Sequence, residues 1–276
     1  MKNLIARGLS GALFVAVIVL SVINGFEAPL FLALEVATQL EFYLLLERKE
    51  EGKSCPLVGI VAGVSLFLFS NLLFPSPMIF PLLIFGIPST YLFVGILILT
   101  LFLAIPLLEL YKPHGNLAQR WANTLLGIIY VALPFASLSI LRGERGAWGI
   151  LLPLIFIWCN DIGAFVIGSL LGKHKLAPGI SPKKSWEGFV GGLVITMVVG
   201  FALIPTFGPS YGNYLIIMPL AMGLMAVLGD LVESMLKRHV GVKDSGNFLP
   251  GHGGFLDRFD AMLFALPMAA WLGFFL

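Results

Sequence analysis

Charged side chains are scarce: Asp, Glu, Lys and Arg make up 12% of the 276 residues, about half the share usual in soluble domains. That excludes a chain solvated on all sides. The formal net charge is only +2, so the sum says little and the placing of Lys and Arg along the chain matters more; no nucleic-acid partner is expected. Two cysteines, Cys55 and Cys159, suggest neither a disulfide framework nor a thiolate metal site and are expected to be buried or idle thiols. No Walker-type GxxxxGK[ST], no GxSxG elbow and no zinc-spaced Cys/His cluster occurs, which disfavours P-loop chemistry and hydrolysis by a serine triad or a zinc-bound water. No repeat of 20 to 50 residues is visible, and no cleavable signal pattern is clear, so the first apolar segment is expected to stay as an anchor.

What fills the space is apolar: 58% of residues are hydrophobic and the mean hydropathy is +0.97. A transmembrane helix needs about 20 apolar residues. Runs of that kind predict helices near 8–25, 28–46, 56–74, 78–111, 119–141, 147–171, 187–206, 213–237 and 259–276. The fold class is therefore all-α, a polytopic membrane protein of about nine spans, since barrel strands are shorter and alternate. The fourth run is overlong and broken by Pro81, Pro88 and Pro106, and reads as one kinked helix, a re-entrant piece plus a helix, or two short spans. With nine spans and a cytoplasmic N-terminus, fifteen of the seventeen Lys and Arg fall inside, leaving only Arg142 and Arg145 outside. That is a strong positive-inside signal, and all four histidines join the inside set. Residues 1–111 read as a hydrophobic frame. Residues 112–276 read as the catalytic region, with cytoplasmic loops 172–188 and 238–258.

Polar residues concentrate in these two loops. The first, GKHKLAPGISPKKSWEG, carries four lysines and Glu187. Ser181 and Pro182 look like an N-cap and first helical position, which would put Lys183 and Lys184 at a helix N-terminus suited to anions. From Gly229 to Asp260, five acids, four Lys or Arg and two histidines crowd 32 residues. Asp230, Glu233, Ser234 and Lys237 recur at helical spacing and share one face. An ionised acid in a bilayer costs roughly 2.5–3.5 kcal/mol at a helix centre, so Asp161, Asp230 and Glu233 are functional candidates, and Asp161 is expected to line a polar cavity reached from the cytoplasm rather than make a structural interhelix hydrogen bond. Glu35, Glu41 and Glu109 either line it too or bond neighbouring helices.

Gly251 to Gly254, around His252, can bring backbone amides close to a ligand. Asp257 and Asp260 would stand one turn apart if the last span starts helically, and such an oxygen pair suits Mg²⁺. Carboxylates for a hard cation beside cations for phosphates describe phosphoryl or nucleotidyl transfer. An ion transporter is the rival reading, disfavoured because the polar residues gather on one side rather than at the midplane.

The stretch Ser234-x-Leu236-Lys237-Arg238, then Lys243-Asp244-x-Gly246, then Leu249-Pro250-Gly251-His252-Gly253-Gly254-Phe255-x-Asp257-Arg258-Phe259-Asp260 resembles the signature of the phosphatidate cytidylyltransferase family. The segment Ile180 to Gly188, Gly229-Asp230 and Asn160-Asp161 also look like family motifs. CDP-alcohol phosphotransferases use a different acidic motif, DGxxARx₈GxxxDxxxD, which is absent. The resemblance implies a dimeric inner-membrane enzyme of phospholipid biosynthesis, open to the cytoplasm, joining CTP to phosphatidate with Mg²⁺ and with room for a second cation such as K⁺. Carried onto this sequence, it makes Asp230 and Asp257 the metal-binding carboxylates. Lys237, Arg238, Lys243, His252 and Arg258 would hold phosphates, and Lys183, Lys184 and Ser185 would contact a substrate. Asp260 joins the catalytic set, and Asp161, Ser181, Glu187, Ser234, Asp244, Gly253 and Gly254 complete the substrate site.

Overall fold

Long apolar runs leave the backbone no partner but itself, and helices follow. The computed structural model describes residues 2–48, 53–73, 95, 107, 116–208, 211–246 and 253–276. Its helices are α1 (Lys2–Ile23), α2 (Glu27–Leu46), α3 (Pro56–Leu73), α4 (Leu117–Gly127), α5 (Leu133–Arg145), α6 (Ala147–Leu171), α7 (Trp186–Phe207), α8 (Gly212–His239) and α9 (Leu256–Gly273). Eight of the predicted spans coincide with these. The fourth predicted span, 78–111, lies outside the described residues apart from Gly95 and Leu107, as do Glu109 and His252. Among the described residues, α2, α3, the continuous stretch Leu117–Arg145, α6, α7 and α8 are long and apolar enough to cross a membrane.

The chain divides into two units. Met1–Ala147 with Asp244–Arg258 forms the first, and Trp148–Lys243 with Phe259–Leu276 the second. The sequence-derived region 112–276 therefore contributes to both.

In the first unit, Tyr43 of α2 fills a gap that glycine creates on two sides, since a Cβ at Gly59 or Gly127 would run into its ring. Its hydroxyl donates to the Thr124 carbonyl at 2.8 Å and accepts from the Gln39 amide at 3.2 Å. Between α4 and α5, residues Ile128–Ala132 form a π-helical turn. Pro134 has no amide to give the Tyr130 carbonyl, so the hydrogen-bond ladder widens just before it. Arg142 and Glu27 make a buried ion pair at 3.1 Å, which ties the α1–α2 turn to the end of α5. At the opposite end of α2, Asn123 of α4 donates to the Lys53 carbonyl at 3.0 Å.

In the second unit, α7 packs on α8 where Gly200 leaves no room beside the Leu215 carbonyl and Pro219. The outer face of α7 carries Val190, Val194, Val198 and Phe201, all exposed, an apolar stripe of the kind a bilayer covers.

One local reading needs correcting. Ser181 and Pro182 do not start a helix. Residues Lys175–Ala177 (β1) and Ser181–Ser185 (β2) pair as an antiparallel hairpin, a small departure from a purely helical fold. The Pro178-Gly179 turn closes it, with the Ile180 amide on the Ala177 carbonyl at 3.2 Å. The helix waits for Ser185, whose extended backbone and hydroxyl cap α7 by accepting from the Gly188 amide. Both serines carry an N-cap signal, and strand pairing decides between them.

Candidate active site

The second unit holds a cavity of about 450 Å³ lined by Asn160, Asp161, Lys183, Lys184, Ser185 and Asp230, with apolar walls from α6 and α7. Three helices and the hairpin bring these residues together. Helix α6 delivers Asn160 and Asp161 to the wall. Gly192 of α7 and Gly223 of α8 flank Asn160, because a Cβ at either would press on its side-chain oxygen. Asn160 is fully buried, with the Asp161 carboxylate as its polar neighbour on the wall.

Asp230 enters from α8. One residue earlier, Gly229 lets α9 cross so closely that a Cβ would strike the Asp260 carbonyl and the Ala261 backbone. That crossing puts Asp260, and with it Asp161, within electrostatic range of Asp230. The hairpin supplies the opposing charge, for Lys184 Nζ lies 2.5 Å from Asp230 Oδ2 and within range of Asp161. Lys183, its neighbour on β2, is exposed.

The predicted polar face of α8 is real. Asp230 accepts from the Ser234 hydroxyl at 3.3 Å, and Lys237 pairs with Glu233 at 2.5 Å, both buried. Arg238 turns back to donate to the Val242 carbonyl at 3.0 Å and the Ile180 carbonyl at 3.5 Å, so it braces both the helix end and the hairpin. Lys243 is exposed. Glu187 is occupied at the hairpin base. Its carboxylate accepts from the Lys173 and His174 amides and from His174 Nδ1, the last at 2.6 Å. Ser181 is half-buried, and Ser185 is buried as the cap of α7.

The first unit holds the signature from Asp244 to Arg258. Helix α9 begins at Leu256, so Asp257 and Asp260 do stand one turn apart. Asp257 Oδ2 accepts from the Ser245 amide at 3.0 Å and the Gly254 amide at 2.9 Å. Gly253 has φ +78° and lies against the Asp257 carboxylate, which explains why glycine stands there. The Gly254 amide, expected to face a ligand, is thus engaged by the protein's own carboxylate. Asp244 and Arg258 are exposed.

Sequence reasoning placed Glu233 on the polar face of α8 but not in its pair with Lys237, a link that i, i+4 spacing could have suggested, and it passed over one contributor altogether. His174 secures Glu187 from thirteen residues away, and no local pattern announces it.

The donors are carboxylate oxygens, and among the described residues no three His, Cys, Asp or Glu side chains converge to hold a metal. Such a set fits Mg²⁺, which takes one or two carboxylates and fills its shell with waters and substrate phosphates. It does not fit zinc, which wants a closed cage of nitrogen and sulfur.

Among known proteins, the phosphatidate cytidylyltransferase of Staphylococcus saprophyticus is 46% identical over 148 residues, 53% of this chain and 56% of that protein. Proteins of the same name from Staphylococcus aureus strain COL, at 44% over 148 residues, and Bacillus subtilis, at 46% over 151 residues, are covered to the same extent. The match spans only 56% of the length of these curated relatives. The sequence profile of the cytidylyltransferase family, by contrast, matches residues 5–276, and the chain belongs to that family.

Proposed function

We propose that this protein is a phosphatidate cytidylyltransferase, joining CTP to phosphatidate and releasing CDP-diacylglycerol and pyrophosphate. The observation that carries the reading is the carboxylate-and-lysine cavity of Asp161, Asp230 and Lys184, built on membrane-type helices in a member of the cytidylyltransferase family. The names of the relatives point to the same lipid substrate.

The charges dictate the mechanism. Phosphatidate is already anionic near neutral pH, so its phosphate oxygen attacks the α-phosphorus of CTP without a strong general base. The bond to the β-phosphate oxygen breaks, and pyrophosphate leaves. The barrier lies in bringing two polyanions together, which positioned cations offset. Asp230 and Asp257 would hold Mg²⁺, as the family resemblance implies, and the ion would supply charge neutralisation at the CTP phosphates. Lys183 and Lys184 from the hairpin would bind phosphate, with Lys184 exchanging its carboxylate partner for substrate. Arg238, Lys243, His252 and Arg258 add positive charge, and the buried Lys237 acts through its pair with Glu233. Asn160 and Asp161 present the polar groups available to the nucleotide.

The same reading puts the enzyme in the inner membrane as a homodimer of nine-span subunits with the N-terminus in the cytoplasm. The orientation is supported by the fifteen-to-two division of basic residues. A site at helix ends on that side meets a lipid phosphate without extracting it.

Label transfer tests the reaction. CTP labelled at the α-phosphorus should yield a labelled, chloroform-soluble product only when phosphatidate is present. A labelled product that forms without phosphatidate, or none at all from folded protein, would refute it.

A further inference from the structure

We propose that Glu41 of α2 is a positioning residue that holds the signature loop so that Asp257 presents its carboxylate in one orientation. The inference rests on the metal-binding role proposed for Asp257 and extends it to a helix some two hundred residues upstream.

Glu41 is buried, at 8% exposure, near the end of a helix that is otherwise mostly apolar. Its carboxylate reaches the start of α9. Oε2 accepts from the Phe255 amide at 2.8 Å and Oε1 from the Leu256 amide at 3.3 Å. The Ser245 hydroxyl also donates to Oε1. Three donors on one carboxylate make Glu41 the cap of α9, supplied from another helix, where a negative charge also meets the positive end of the helix dipole. Space confirms the fit: a Cβ at Gly246 or Gly254 would collide with the Glu41 carboxylate. Those two signature glycines are therefore needed because Glu41 lies against them.

The link to Asp257 runs through Ser245 and Gly254. Ser245 gives its hydroxyl to Glu41 and its amide to Asp257 Oδ2. Gly254 packs on Glu41 and gives its amide to the same Oδ2. Arg48, two residues beyond the end of α2, donates to the Ser245 carbonyl at 3.3 Å. Asp257 is thus oriented by two amides whose own positions are set by Glu41. Groups that orient a metal ligand in this way typically contribute about 10- to 100-fold in metal affinity or activity.

Glu41→Gln keeps the shape but turns an NH₂ group toward backbone donors, so one of the three bonds must fail. In purified Glu41→Gln, amides of 245 and 254–256 should exchange hydrogen at least tenfold faster than wild type, while those of α7 keep their protection. The Mg²⁺ concentration for half-maximal activity should rise about tenfold, with the KM for CTP at saturating Mg²⁺ within twofold of wild type. Ser245→Ala, which removes one bond and keeps the backbone amide, should shift both readouts in the same direction by less, and it serves if Glu41→Gln does not fold. Wild-type exchange at these amides, or faster exchange with an unchanged Mg²⁺ requirement, would overturn the inference while leaving an inactive Asp257→Asn and the metal reading intact. A fully active Asp257→Asn would remove the metal reading and the inference with it.

Discussion

Lys184 on the hairpin and Asp230 on α8 meet at 2.5 Å, and this pair joins the basic loop of the sequence to its acidic signature. Neither belongs to the other's local segment, yet each is the nearest opposite charge the other has on the cavity wall. Replacing Lys184 by Met should leave Asp230 among the carboxylates of Asp161 and Asp260 with less compensation, and should remove a phosphate ligand. The expected result is a loss of about 10²-fold in kcat/KM for CTP, with Lys184→Arg recovering part of it. Steady-state kinetics on the two variants checks this.

Asp230→Asn keeps the size of the side chain and its bond to Ser234 while removing the charge. It should yield a folded, membrane-inserted protein with activity reduced by about 10³-fold or more. Gel filtration in detergent establishes the fold, and the rate of pyrophosphate release establishes the loss. Substantial turnover at ordinary Mg²⁺ would take Asp230 out of the metal role.

In the first unit, Glu27 and Arg142 form a buried pair, and Arg142 also donates to the Val22 carbonyl at 3.2 Å. Breaking a buried ion pair from one side typically costs about 3–5 kcal/mol. Arg142→Ala should therefore lower the thermal midpoint markedly, while the rate per folded molecule stays near wild type. The double variant Glu27→Gln with Arg142→Met should regain part of the midpoint, since no unpaired buried charge remains.

Gly192 and Gly223 clasp Asn160. Gly192→Ala should push Asn160 off the cavity wall and destabilise the protein by about 1–3 kcal/mol. At Gly212, where a Cβ would meet nothing within 4 Å, the same change should fall within about 0.5 kcal/mol of wild type. Thermal unfolding of the two variants side by side decides whether close packing at Asn160 is the cause.

Helices were legible because hydropathy and helix length are set by the bilayer, and the predicted end of α8 at 237 lies two residues from the observed one at His239. The face shared by Asp230, Ser234 and Lys237 was legible for a similar reason, as periodicity alone produces it. The hairpin was not, because Ser181-Pro182 and Ser185 both satisfy a capping rule and only pairing with Lys175–Ala177 selects the second. Glu41 was ambiguous from sequence, since its three donors lie more than two hundred residues away and no local pattern encodes such a contact. The packing at Gly254 was not legible either: glycine there makes room for the Glu41 carboxylate, and its amide serves Asp257.

The most direct measurement is pyrophosphate release from the purified protein in detergent with Mg²⁺ and phosphatidate, offering CTP, UTP, ATP and GTP in turn beside an Asp257→Asn control. Release that requires both CTP and phosphatidate, and that disappears in the variant, is the expected result. Release without phosphatidate, equal release with every nucleotide, or full activity in Asp257→Asn would contradict the assignment of this site to cytidylyl transfer.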